Sequence, residues 1–285
     1  MAIIEARKLS KVYRTAVKQP GLRGALRHFL RREYREIHAV RAIDLSIEPG
    51  EVVGFLGANG AGKTTSLKML SGLIYPTSGE ARVIGHIPFQ RNRDLLRRIT
   101  LVMGQKQQLV WDLPAMDSLK VNAAVYELDA QKAARVMGEL GEMLGLGETL
   151  YRPVRKLSLG ERMKCELMAS LLHEPQVLFL DEPTLGLDVN AQDSIRKFLH
   201  EYNARYSATI LLTSHYMADI VALCPRVILM HEGSLIYDGS LTGIVDRFAP
   251  YREIELKLAE PVDTSRLRQF GEVAAANGRT VRLIV

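Results

Sequence analysis

The chain has 285 residues, of which 47% are hydrophobic, 25% charged and 6% aromatic, with a formal net charge of +6. That balance fits one large globular domain or a domain with an appendage, and its two cysteines, Cys165 and Cys224, exclude a disulfide framework or cysteine metal cage and point to a reducing cytosol. No apolar run reaches the about 18 residues of a membrane span and no signal peptide opens the sequence, which predicts a soluble chain that reaches a membrane only through a partner.

The charge is unevenly placed. Residues 14–38 carry Arg14, Lys18, Arg23, Arg27, Arg31, Arg32 and Arg35 against Glu33 and Glu36, while the rest of the chain is close to neutral. The basic balance is therefore a property of one segment, which argues against a general nucleic-acid-binding surface.

In chain order, residues 2–13 and 40–48 alternate as half-exposed strands do. Between them Leu22, Leu26, Phe29, Leu30, Tyr34 and Ile37 recur at helical steps beside a stripe of arginines. The spacing predicts an amphipathic helix with a cationic face. Such a helix either lies on its own domain with a solvated side, or docks residues 22–37 at an anionic membrane surface or on a membrane subunit.

Residues 51–56 read as a short buried strand and 64–73 as a helix. The stretch between them, Gly57-Ala58-Asn59-Gly60-Ala61-Gly62-Lys63-Thr64, fits G-x-x-x-x-G-K-[ST] at every fixed position. Backbone N–H groups, unhindered at the glycines, can curl around phosphate oxygens, and the following helix points its positive end at the same charge. Lys63 can then reach the β- and γ-phosphates and the Thr64 hydroxyl can ligate Mg²⁺. Residues 57–64, with Thr65 beside them, are the candidate triphosphate cradle.

Further on, residues 80–87 read as strand and turn, and 112–172 as mostly helical, with 119–128 and 130–144 the most periodic. Residues 176–180 and 209–213 are apolar runs of the kind that form parallel strands covered on both faces. Residues 226–239 alternate again, with turns expected at Glu232-Gly233 and Asp238-Gly239. Beyond about residue 245, the stretches 253–258 and 281–285 read as strands around a short helix, a small α+β appendage that stops on a strand as an incomplete unit would.

The run Leu178-Phe179-Leu180-Asp181-Glu182 is a hydrophobic strand ending in two acids. Two acids there can simply cap a helix. Paired with a phosphate loop, Asp181 takes the Mg²⁺ role and Glu182 that of general base toward an attacking water.

The surrounding motifs are more specific. Leu157-Ser158-Leu159-Gly160-Glu161 precedes the acids, Pro183-Thr184-Leu185-Gly186-Leu187-Asp188 follows them, and Thr213-Ser214-His215 ends the next buried run. That order resembles the ATP-binding cassette (ABC) transporter ATPases over residues 2–240. The resemblance implies an α/β P-loop NTPase cassette: a RecA-like core, an antiparallel β subdomain and a helical subdomain, here followed by the appendage at 245–285. It also implies a head-to-tail dimer of two copies with ATP and Mg²⁺ between them. Ser158 and Gly160 would serve the nucleotide held by the other copy, Asp188 would lie in the cross-dimer loop, and His215 would contact the γ-phosphate. Lys63, Glu182 and His215 are then the catalytic set. A glutamine that ligates Mg²⁺ and senses the membrane subunit is matched by Gln105, with Gln107 and Gln108 as close competitors. Tyr13 matches the aromatic that stacks on adenine, although core filler is the other reading of that residue.

The signature departs from the usual Leu-Ser-Gly-Gly-Gln at Leu159 and Glu161. The leucine limits backbone freedom, and the carboxylate weakens ATP contact if it faces the nucleotide. The basic insertion, this variant and Trp111-Asp112-Leu113-Pro114 look most like ABC-2-type exporters, including drug- and polysaccharide-export groups. The expectation is an ATPase on the cytoplasmic face, docked to integral membrane permease subunits and powering export. The alternatives are an importer ATPase, a cassette acting on nucleic acid or ribosomes, and a scaffold that binds ATP without turnover. One cassette with no sustained heptads and no aromatic-plus-basic platform argues against nucleic acid as the partner.

Overall fold

The computed structural model describes residues 2–16, 34–104, 108–248, 251, 253–260 and 263–285. Alternation builds the first sheet. β1 (Ile4–Ala16) pairs antiparallel with β2 (Tyr34–Ile47), Ile4 opposite Ile47 and Tyr13 opposite Ile37. Ile4, Ala6 and Leu9 are buried on one strand, and Val40, Ile43, Leu45 and Ile47 on the other. The apolar β3 (Val52–Leu56) leads into the glycine-rich turn and α1 (Lys63–Leu70). β4 (Ser78–Val83) then adds to the free edge of β1, giving the order β2-β1-β4. One buried cluster joins the inner face of this sheet to Leu67, Met69 and Leu70 of α1 and to Val53 and Phe55 of β3. At about 1.5–3 kcal/mol per buried side chain of this size, that shared core fixes the sheet beside the loop.

After the one-turn α2 (Arg93–Leu96) and β5 (Ile99–Met103) come the helices α3 (Ala115–Val125), α4 (Ala130–Met143) and α5 (Leu159–Leu171). Asp129 starts α4 by accepting the Lys132 N–H at 2.8 Å, satisfying a donor the helix end leaves open. Glu166 of α5 is buried and accepts the backbone N–H groups of Gln108 at 2.8 Å and Leu109 at 3.4 Å. Burial pushes its carboxyl above the ordinary glutamate range. The loop after β5 is thereby tied to the helical segment.

β6 (Val177–Asp181), α6 (Val189–Tyr206), β7 (Thr209–Thr213), α7 (Met217–Leu223), β8 (Arg226–His231) and β9 (Ser234–Ser240) complete the core. The six-stranded sheet runs β5-β6-β7-β3-β8-β9, and the β5/β6, β6/β7, β7/β3 and β3/β8 pairs are parallel. All of β7 and the first four residues of β6 are buried, as strands covered on both faces must be. The register sets Met103 beside Asp181, Asp181 beside Thr213, and Thr213 beside Phe55. The carboxyl ends of four strands are thus level where β3 enters the glycine-rich turn, the place where open α/β sheets bind ligands.

The chain divides into the units Met1–Asp238 and Gly239–Val285. The second contains α8 (Leu241–Phe248) and a sheet of β10 (Glu253–Lys257), β11 (Glu272–Asn277) and β12 (Thr280–Ile284) in the order β10-β12-β11. Val281 and Leu283 on its central strand are buried.

Several expectations change. Tyr34 to Ile37, expected as the end of a cationic helix, belong to β2, where Glu36 faces Arg14 and pairs with it at 3.0 Å. Cross-strand hydrogen bonding to β1 outweighs the helical spacing there. Residues 22–33 of that expected helix lie outside the described residues. Asp238-Gly239 is no turn but part of β9, because the Asp238 carboxylate is held by the Arg226 Nε and Nη2 at 2.7 and 2.8 Å. Glu232-Gly233 does turn, with φ of 46° and 82°, the double positive φ that suits a tight hairpin. In the appendage a 3₁₀ turn at Thr264–Leu267 and a third strand, β11, replace the expected short helix.

Candidate active site

The glycine-rich turn is shaped by backbone that only glycine tolerates. Gly57 has φ of 141°, and a Cβ there would lie 2.2 Å from Met230 O. Gly62 has φ of 105°, and its Cβ would lie 2.5 Å from Ala39 O on β2. Ala58, Asn59 and Gly60 form the exposed crown, closed by Ala61 N–H donating to Ala58 O at 3.1 Å. Gly62 is the N-cap of α1 and offers no side-chain cap, so the first-turn N–H groups around Lys63, Thr64 and Thr65 face no internal acceptor from it. The Lys63 ammonium folds back and donates to Gly57 O at 2.7 Å and Ala58 O at 3.0 Å. Burial pulls its pKa below the usual lysine range, while the charges of Glu182 and Asp181 oppose that shift.

The level strand ends converge on this turn. Thr64 Oγ1 and Thr213 Oγ1 each donate to Asp181 Oδ1 at 2.8 Å. Glu182 N–H donates to Thr213 O at 3.1 Å. Glu182 itself has φ of 55°, a left-handed conformation costly for glutamate and of the kind stored at functional sites. Its Oε1 meets His215 Nε2 at 2.7 Å. A hollow of about 340 Å³ opens over these groups, lined by Thr64, Lys68, Met103, Gly104, Asp181, Glu182 and Leu185. Gly104 N–H donates to Asp181 O at 3.1 Å, and a Cβ at Gly104 would lie 2.7 Å from Glu182 O. A hydroxyl and a carboxylate oxygen in contact beside a phosphate cradle are the hard donors that Mg²⁺ takes from a protein when phosphates and waters complete its shell. Thr64 and Asp181 fit that ion.

Other candidates are arranged locally. Ser158 is the N-cap of α5 in a full capping box: Glu161 N–H donates to Ser158 Oγ at 3.2 Å, and Ser158 N–H to Glu161 Oε2 at 2.8 Å. Arg152 also reaches Glu161 at 3.4 Å. The backbone N–H of Ser158 holds the Glu161 carboxyl below the ordinary range. The unusual carboxylate of the signature is therefore employed within its own helix turn. A Cβ on Gly160 would lie 2.7 Å from Ala191 Cβ, so this glycine permits close packing of α5 on α6. Leu159 is exposed. Asp188 caps α6, accepting the Ala191 N–H at 2.9 Å.

Tyr13 is 39% exposed, which rules out core filler, and Lys11 Nζ sits 5.2 Å from its ring centre. Gln105 and Gln107 lie outside the described residues. Gln108 commits its backbone N–H to Glu166. Thr213 stood in the Thr213-Ser214-His215 run without a role of its own, since its link to Asp181 depends on the parallel register of β6 and β7.

Known proteins match this chain. A family described as ABC transporter matches residues 40–185, and one described as EvrA-like ABC transporter, C-terminal domain, matches residues 250–285. The chain is 35% identical over 210 residues to the ABC transporter ATP-binding protein NatA of Bacillus subtilis (strain 168), covering 74% of this chain and 85% of that one. It is 33% identical over 251 residues to the Nod factor export ATP-binding protein I of Burkholderia pseudomallei (strain 1710b), covering 88% and 82%. The dimeric post-hydrolysis structure of the ATP-binding cassette MJ0796 bound to ADP and Pi superposes with a TM-score of 0.68 at 21% identity over 84% of this chain and 98% of that one, a likeness of fold.

Proposed function

The chain belongs to the ABC transporter family as an ATP-binding, ATP-hydrolysing subunit, and from that premise we propose that it powers export through a separate membrane subunit by closing head to tail on a second copy. The observation that carries this reading is the meeting of Thr64, Asp181, Thr213, Glu182 and His215 at one edge of the phosphate cradle.

ATP binds with its triphosphate in the N–H groups of residues 57–65, where Lys63 exchanges the carbonyls of Gly57 and Ala58 for phosphate oxygens. Tyr13 offers its exposed ring to adenine. Mg²⁺, held by Thr64 and Asp181 with Gln105 as a further ligand, would neutralise charge developing on the β- and γ-phosphate oxygens. Glu182 accepts a proton from the attacking water, and His215 leaves its pairing with Glu182 to donate a hydrogen bond to the γ-phosphate. Ser158 and Gly160 of the second copy cover the far side of the γ-phosphate, and Asp188 lines the seam between copies. The Ser158 Oγ already accepts a bond from Glu161, so its own proton is free to donate. The two faces are polar, so the triphosphates bridge what would otherwise repel, and hydrolysis removes the bridge.

The membrane subunit docks on the segment 112–160 and the loop around Gln105. Val121 and Val125 of α3, exposed by 57% and 71%, support that reading. Among the described residues no helix is long and apolar enough to cross a membrane, and the membrane association proposed here runs through that subunit. The Nod factor relative carries export in its name, and the exporter-like motifs of this sequence point the same way. Phosphate release by the purified protein tests the reading. Glu182→Gln should nearly abolish hydrolysis while ATP-driven dimerisation persists. Equal rates in both proteins would remove Glu182 from the role of base.

A further inference from the structure

Behind the Glu182–His215 pair lies a buried polar cluster that the mechanism above does not use. Asp219, on the first turn of α7, is 1% exposed. Its Oδ2 accepts the Thr184 hydroxyl at 2.5 Å and the Ser214 hydroxyl at 2.6 Å, and its Oδ1 accepts Arg196 Nη1 of α6 at 2.9 Å. Thr184 and Ser214 are buried, and the Arg196 side chain is 13% exposed. A buried carboxylate is tolerated only with such partners, so each contact is strongly held.

The partners come from two loops that carry catalytic groups. Ser214 precedes His215, and its Oγ in turn accepts the Tyr216 N–H at 3.0 Å, so one hydroxyl spans the turn at whose apex His215 stands. Thr184 lies two residues beyond Glu182. Its carbonyl accepts Leu187 N–H at 3.2 Å, and Leu185 N–H closes on Glu182 O at 3.2 Å. Asp219 is therefore bonded to both loops, while the same two loops meet at 2.7 Å through His215 and Glu182. Arg196 extends the tie to α6, the helix that Asp188 caps.

We propose that Asp219 is a positioning residue for hydrolysis: it sets the spacing between the loop bearing His215 and the loop bearing Glu182, with Arg196 holding its charge in place. Its side chain is 1% exposed and bonds to Thr184, Ser214 and Arg196, so it acts through those loops. The inference rests on the roles given above to Glu182 and His215. An ångström of misplacement costs on the order of 100-fold in rate, so loosening this hub should act on turnover and spare the cradle.

Single-turnover phosphate release and nucleotide affinity, measured on Asp219→Asn, His215→Ala and the double variant, test it. Asp219→Asn should slow turnover by about 10- to 100-fold with KM and single-copy ATP affinity within about twofold of the parent. In the His215→Ala background the same change should cost less than about twofold, because its route of action is already gone. A full additional slowing in that background would make Asp219 a structural residue only and overturn the proposal, leaving the role of His215 intact. Parental turnover in His215→Ala would instead overturn the reading on which the proposal stands, and the proposal with it. If Asp219→Asn does not fold, Ser214→Ala and Thr184→Val, each removing one hydroxyl, carry the same test. Parental turnover in both would also overturn it.

Discussion

Two helices in this chain begin at motifs proposed above to meet phosphate, and their N-termini are built in opposite ways. α1 starts from Gly62 in a left-handed conformation, with no side-chain cap and no acid in its first turn. α5 starts from Ser158 with both halves of a capping box filled and Glu161 in its first turn. An uncapped helix end keeps its N–H donors and its positive dipole for an outside anion. A capped one has answered part of that demand internally, and its carboxylate offsets the dipole. The first end is made to hold a triphosphate unaided. The second keeps its shape alone, and in the mechanism proposed above it contributes a hydroxyl and its remaining N–H groups once a nucleotide is brought to it on another copy. On that proposal the site divides into a half that binds and a half that completes.

The sharpest way to break this contrast is at the lysine. Lys63→Ala should cost about 1.5–3 kcal/mol of ATP affinity, the worth of a hydrogen bond to a charged group, read by titration calorimetry. Ser158→Ala should leave single-copy affinity unchanged while slowing phosphate release. Equal loss of affinity in both variants would end the distinction between the two halves.

Packing comes next. Gly160→Ala forces a methyl to 2.7 Å from Ala191 Cβ. It should destabilise by about 1–3 kcal/mol in urea unfolding, with Ala191→Gly restoring much of the loss. No recovery in the double variant would mean that Gly160 is needed for something other than helix contact.

The cap itself is worth less. Glu161→Ala should lose about 1 kcal/mol, and Glu161→Gln only the smaller, ionic part of that, since glutamine completes a capping box but carries no charge. Because the folded-state pKa of Glu161 is depressed, its ionic contribution is present above the ordinary glutamate pKa and is lost as pH falls through the lower folded value. Thermal melts from pH 6 to pH 3 should therefore converge for the parent and Glu161→Gln. The smallest effect belongs to the base: Tyr13→Ala should weaken ATP binding by about 0.5–1.5 kcal/mol and Tyr13→Phe hardly at all, as a stacking role requires.

The local elements were legible in the residues themselves. The strand, glycine-rich turn and helix around Lys63 follow from contacts between near neighbours, as do the buried β6 and β7 and the hairpin turn at Glu232-Gly233. Failures fell where a competing long-range bond decided the outcome. Tyr34 to Ile37 have helical spacing but pair with β1, and Asp238 has turn chemistry but is claimed by Arg226, twelve residues earlier. For Glu161 the sequence left open whether its carboxylate faces the nucleotide, and its bond to the Ser158 N–H places it within its own turn.

By itself, then, the order of residues singled out the groups proposed to bind phosphate, hold Mg²⁺ and move a proton, because motif spacing encodes local backbone geometry. Only the tertiary structure decided which of them meet. Thr213 reaches Asp181 through the parallel register of neighbouring strands, and Asp219 collects Thr184, Ser214 and Arg196 from three separate segments. Such contacts depend on how buried strands and helices pack together, and no short-range pattern in the chain records that.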